Sequence, residues 1–153
     1  KDIYDGAIPS GNSVAMWNLL RLSRITGDTS LEEKAVKIGR AFSQTVTSLP
    51  SAFTQMMIAV DFGVGPSYEI VIVGKSDADD TKNMLSAVRK KFLPNKVILL
   101  RSTEIKNPPI LQLAEFTQDM TSTDGKATAF VCLNHACKFP TTDSKKMLEL
   151  LEE

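Results

Sequence analysis

What this chain of 153 residues lacks narrows its class first. It has no excess of either charge, with 18 Lys and Arg against 18 Asp and Glu, so no long-range field draws it to nucleic-acid phosphates. No apolar run approaches the roughly 20 residues that a membrane-spanning helix needs. Two cysteines are too few for a disulfide scaffold at this length, and a reducing, cytoplasmic location is the expectation. The opening Lys1-Asp2-Ile3-Tyr4-Asp5 resembles neither a signal peptide nor a transit sequence, and without an initiator Met the chain reads as an excised fragment or a processed product. There is no internal repeat, low-complexity tract or flexible linker. The remaining class is an ordinary globular chain, 42% hydrophobic and 24% charged, long enough to bury a core as one domain or two small ones.

Two periodicities divide it. From Ser13 to about Phe62 apolar residues recur at helical spacing. Val14, Trp17, Leu20, Leu22 and Ile25 mark a first helix that Gly27 can end in a left-handed cap. Thr29 or Ser30 caps a second, with Glu32 and Glu33 complementing its dipole and Leu31, Ala35, Ile38, Phe42 and Val46 as its stripe. Pro50 closes it, and Ser51 caps a third helix through Phe53, Met56, Met57, Val60 and Phe62. The short connection between the first two predicts an αα-hairpin. Gly63 to Ser67 is the predicted junction. Beyond it, Tyr68–Gly74, Val97–Leu100 and Ala127–Leu133 read as buried strands. Between and after them lie helices carrying Met84, Leu85, Val88 and Phe92 inward, then Ile110 to Phe116, then Thr142 to Leu151. Strands without alternation, separated by helices, predict a small parallel sheet.

Three stretches carry chemistry-bearing groups. Asp5-Gly6-Ala7-Ile8-Pro9-Ser10-Gly11-Asn12-Ser13 offers a carboxylate, an amide and two hydroxyls just before an apolar helix. These can cap the helix or line a cavity. Gly74-Lys75-Ser76 after a strand invites a phosphate-loop reading, which fails because Glu69 stands where that motif needs its first glycine. Cys132 and Cys137, spaced C-x4-C around the only histidine, His135, can form a disulfide, share a metal, or simply pack. Zinc would lack a fourth ligand from this segment, although Asp143 is near in sequence. Asp61 and the basic run Arg89-Lys90-Lys91 read as solvated helix edges.

Two segments together, DGAIPSGNSVA and AFVCLNHACKFPTTD, resemble the C-terminal part of the spermatogenesis-associated thioredoxin-like proteins. In that family a thioredoxin-like domain precedes an (α/α)6 toroid similar to N-acylglucosamine 2-epimerases and six-hairpin glycosidases, and a V-C-x4-C-x2-P pattern comes near the end. Val131, Cys132, Cys137 and Pro140 match that pattern. The resemblance implies a fold of three helices, a remnant of the toroid, over residues 1–65, followed by a small three-stranded parallel α/β unit over 66–153. It implies that Asp5, Ser10, Asn12 and Ser13 line a carbohydrate-type cavity completed by the rest of the parent polypeptide. Sugar chemistry needs acid and base groups on both sides of the ring, so the chain is not expected to be catalytic alone. The expected partners are the parent's toroid and thioredoxin-like domain, a small sugar ligand in the parent, and copies of the isolated fragment itself. No cofactor, metal, nucleic acid or membrane is expected. The alternatives are a thiol-redox or metal-binding module built on Cys132, Cys137 and His135, or an interaction domain.

Overall fold

A computed structural model describes residues 3–152. These form two compact units, one up to Ser67 and one from Tyr68.

The first unit is helical. Its helices are α1 (Gly11–Thr26), α2 (Thr29–Ser48) and α3 (Thr54–Val64), with a single 3-10 turn, Pro50–Ala52, before α3. Ser10 caps α1 by accepting the Ser13 N–H at 3.1 Å. Gly27 ends the helix at φ 79° and returns its own N–H to the Ser23 carbonyl, a conformation that residues with a Cβ rarely adopt. The cap of α2 is Asp28, which accepts the Ser30 N–H at 2.9 Å, one residue before the expected Thr29. Only Gly27 and Asp28 separate the two helices, so they pack as antiparallel neighbours. Met16, Leu20, Ala35, Val46, Met56, Ala59 and Phe62 are buried, and the Trp17 ring meets Phe62 edge-on with centroids 5.2 Å apart. Val14 and Leu22, expected to face inward, are exposed.

The second unit is a sheet covered by helices. Its elements are β1 (Tyr68–Gly74), α4 (Asp79–Lys90), β2 (Lys96–Ser102), α5 (Ile110–Leu113), β3 (Thr128–Leu133), β4 (Ala136–Cys137) and α6 (Ser144–Glu149). The strand order is β2-β1-β3-β4. β1 runs parallel to β2 with Ile70 opposite Ile98, and antiparallel to β3 with Ile70 opposite Val131. One sheet face, Tyr68, Ile70, Ile72, Ala129 and Val131, forms a core with Met84, Leu85 and Val88 of α4 and with Met147 and Leu151. Phe92, expected inside, is 89% exposed just beyond α4.

This corrects the expected fold class of three helices followed by a three-stranded parallel unit. The described residues hold six α-helices and a four-stranded mixed sheet with one parallel pair. The reason lies after β2, where the chain makes only the four-residue α5 and a short 3-10 turn before β3. A parallel return usually runs through a full crossover helix packed on the sheet, and none forms between Ser102 and Thr128. The chain instead comes back on the far side of β1 in the opposite direction. β1 lacks alternation because it is central, with all seven residues buried, and an antiparallel neighbour permits that as well as a parallel one.

Candidate functional site

The first cluster is built on Asp5, which is buried. Its Oδ1 accepts the Ser10 N–H at 2.8 Å. Its Oδ2 accepts the Ser13 hydroxyl at 3.1 Å and the Met56 N–H at 2.9 Å. Met56 lies in the first turn of α3, so the carboxylate satisfies a helix N-terminus that has no capping side chain of its own. The Ser10 and Ser13 hydroxyls are hydrogen-bonded to each other at 2.8 Å, and the Asp5 N–H donates to the Ala52 carbonyl. Burial pushes the Asp5 carboxyl up, but the donors from Ser10, Met56 and Ser13 outweigh it and hold the group below its ordinary value. Asp5, Ser10 and Ser13 therefore act together as a clasp joining the N-terminal segment to α1 and α3. Asn12 stands half-buried in the first turn of α1.

An apolar groove of about 500 Å³ opens elsewhere on the helical unit. Met16 and Leu20 of α1, Val36 of α2, and Met56, Met57 and Val60 of α3 form its walls, with Glu32 and Arg40 among its polar members. None of Asp5, Ser10, Asn12 and Ser13 belongs to its lining.

The third site is a hairpin at the edge of the sheet. Asn134 and His135 form a two-residue turn between β3 and β4, both with positive φ, 48° and 68°, as a type I′ turn requires. The turn places Cys132 directly opposite Cys137, and the two sulfurs are joined as a disulfide. A loop this short restrains the unfolded chain only modestly, worth about 2 kcal/mol in the chain-entropy picture. Cys132 is buried and Cys137 is exposed. On β1, Glu69 is paired in register with Cys132 and is 2% exposed. Its Oε2 accepts the His135 N–H at 3.1 Å, and the His135 Nδ1 lies 4.0 Å from Oε1. Joined sulfurs cannot ligate a metal, and no group of three or more His, Cys, Asp or Glu among the described residues is arranged to hold one.

Sequence reasoning missed both β4 and Glu69. Asn134 between Leu133 and Ala136 was the available signal for the turn. A lone acid inside Tyr68-Glu69-Ile70-Val71-Ile72-Val73 was the signal for Glu69. At the βα turn after β1, the Ser76 N–H is taken by Glu104 Oε2 at 3.0 Å, so a carboxylate of the chain itself stands where a phosphate would bind. Asp61 is exposed, as are Arg89 and Lys90 in the last turn of α4, and Lys91 pairs with Glu152. Among the described residues no helix is long and apolar enough to cross a membrane.

With a three-helix unit, a mixed α/β unit and a disulfide-closed hairpin, the chain is an α and α/β protein. No protein-family profile matches it, and no solved structure does. Similarity along the whole chain is found instead among curated proteins. Human spermatogenesis-associated protein 20 is 37% identical over 151 residues, 99% of this chain and 19% of that protein. The rat protein of the same name is 35% identical over 153 residues, again 19% of its length. An uncharacterized protein of Caenorhabditis elegans is 26% identical over 149 residues. The chain is thus similar along its whole length to proteins named spermatogenesis-associated protein 20, and spans about a fifth of the length of the curated relatives it matches.

Proposed function

We propose that this chain is a non-catalytic segment of a larger polypeptide of the family, and that its helical unit docks a helix from the remainder of that polypeptide. The apolar groove among α1, α2 and α3 carries this reading. Its volume and its walls of Met16, Leu20, Val36, Met56, Met57 and Val60 suit the nonpolar stripe of a helix better than a polar small molecule. Val36 and Met57 are exposed in the chain as it stands, and contiguous apolar surface of this kind marks an interaction site. Relatives about five times longer contain ample chain to supply the covering helix. A toroid-type assembly of helical hairpins, with a thioredoxin-like domain beyond it, is the arrangement we propose for the parent.

In that assembly the Asp5, Ser10 and Ser13 clasp orients α1 against α3 and so shapes the groove. Any sugar cavity in the parent would draw on this support rather than on the Asp5 oxygens, which already accept three hydrogen bonds. The test is association between this chain and the separately expressed remainder of the parent. Native chain should form a stable complex, and Val36→Glu or Met57→Glu should weaken it at least about tenfold, the cost of setting a charged side chain against the apolar stripe of the incoming helix. Equal binding by both variants would refute the groove as the docking face.

A further inference from the structure

We propose that the Cys132–Cys137 disulfide is an exchangeable two-electron redox site, entered at the exposed Cys137 sulfur by a thiol donor and held in register by Glu69. This stands apart from the groove and rests on three observations in the α/β unit.

The two sulfurs are unequal. Thiol–disulfide exchange requires a thiolate to reach one sulfur from solvent, and Cys132 is 1% exposed whereas Cys137 lies in the open on a two-residue edge strand. Edge position leaves the approach open, because among the described residues β4 has β3 on one side and no strand on the other. The third observation is Glu69. A buried carboxylate in a central apolar strand is costly to keep, yet this one is paired with Cys132 across the sheet and accepts the N–H of the turn residue His135. It pins the left-handed turn that keeps position 137 facing position 132. Glu69 is thus a positioning residue, acting through the turn and not on the sulfur.

The exchange follows from this asymmetry. A donor thiolate attacks the Cys137 sulfur, a mixed disulfide forms there, and Cys132 departs with the electron pair of the broken bond and takes up a proton. A second donor thiolate attacks the donor's sulfur in the mixed disulfide, releasing Cys137, which is protonated in turn. The products are two protein thiols and one donor disulfide. Oxidised donor reverses both steps, and the pinned turn makes the closing step intramolecular. The donor is a thiol, supplied either as a small monothiol or as a dithiol.

The experiment equilibrates the folded chain with reduced and oxidised glutathione, or with dithiothreitol, then alkylates free thiols and reads intact mass. The disulfide should open without denaturant, exposing two thiols, and close again when oxidised glutathione is restored. In Cys132→Ser a stable glutathione adduct should build on Cys137, whereas Cys137→Ser should acquire almost none on Cys132. Opening by glutathione identifies a monothiol donor, and opening by dithiothreitol alone identifies a dithiol. A bond that resists millimolar dithiothreitol until urea is added, or thiols that never pair under oxidised glutathione, would overturn the proposal. For Glu69, the oxidised-to-reduced ratio in one fixed buffer should fall about tenfold in Glu69→Val and be restored in Glu69→Gln, which keeps an acceptor oxygen. Slow hydrogen exchange of the His135 amide in the unaltered chain is the companion readout. An unchanged ratio or an unprotected amide refutes the positioning role.

Discussion

Asp5 accepts three hydrogen bonds that tie its segment to α1 and α3. Removing it in Asp5→Ala strands the N–H groups of Ser10 and Met56 and the Ser13 hydroxyl in a buried site. We expect a loss of about 2–4 kcal/mol in urea unfolding. Ser10→Ala removes one cap and should cost about 1 kcal/mol. The acid limb of stability follows from the depressed carboxyl. A group whose folded pKa lies below its unfolded value of about 3.8 contributes stability that is fully present above that value and is lost as pH falls through the folded pKa. Native chain should therefore lose stability more steeply than Asp5→Asn as pH drops below about 4. Parallel acid-unfolding curves for the two would show that the carboxylate's charge contributes nothing. The capping half of this cluster was legible, since Ser10 and Ser13 precede an apolar helical run. The reach of Asp5 to Met56, 51 residues away, is tertiary and no local spacing encodes it.

Among elements, β1, α4 and the residue leading into β3 meet closely at Gly74. A Cβ added at Gly74 would collide with the Thr81 Oγ1 and stand 3.3 Å from the Ala127 Cα. Gly74→Ala should cost about 1–3 kcal/mol through overpacking, with much of it recovered in Gly74→Ala/Thr81→Ala. Thr81 Oγ1 is buried without a hydrogen-bond partner, so Thr81→Val should be neutral or slightly stabilising by calorimetry. Asp80 joins the same corner by accepting the Ala127 N–H at 2.7 Å. That bond holds its carboxyl below the ordinary value in spite of some desolvation. Sequence pattern located α1, α2, β1 and α4 because each carries its own signal: Gly27 as a stop, a spaced apolar stripe, a β-branched run, acids at a helix start. The direction of β3 was illegible because strand composition reports burial and not polarity. β4, two residues long, is too short for any periodicity to mark.

At the scale of the whole molecule, the groove fixes how the isolated chain should behave. In the proposed parent a helix covers Val36, Met57 and Val60, and expression of this chain alone leaves them facing water. A second copy is then the nearest source of apolar surface, and each copy offers both the groove and the exposed flanks that could fill it. We expect sedimentation velocity to show a monomer that associates as concentration rises, with dissociation constants of about 1–100 μM, or roughly 5–8 kcal/mol. Val36→Glu should shift the chain toward monomer without lowering its unfolding midpoint, because residue 36 is already exposed and its charge meets a penalty only in the complex. Reduction of the Cys132–Cys137 bond should leave this association untouched, since the disulfide and the groove belong to different units. Adding the remainder of the parent should dissolve the self-associated species, because one groove cannot hold both occupants. A chain that stays monomeric at high concentration, or whose oligomer survives saturating parent segment, would place the contact on some other face.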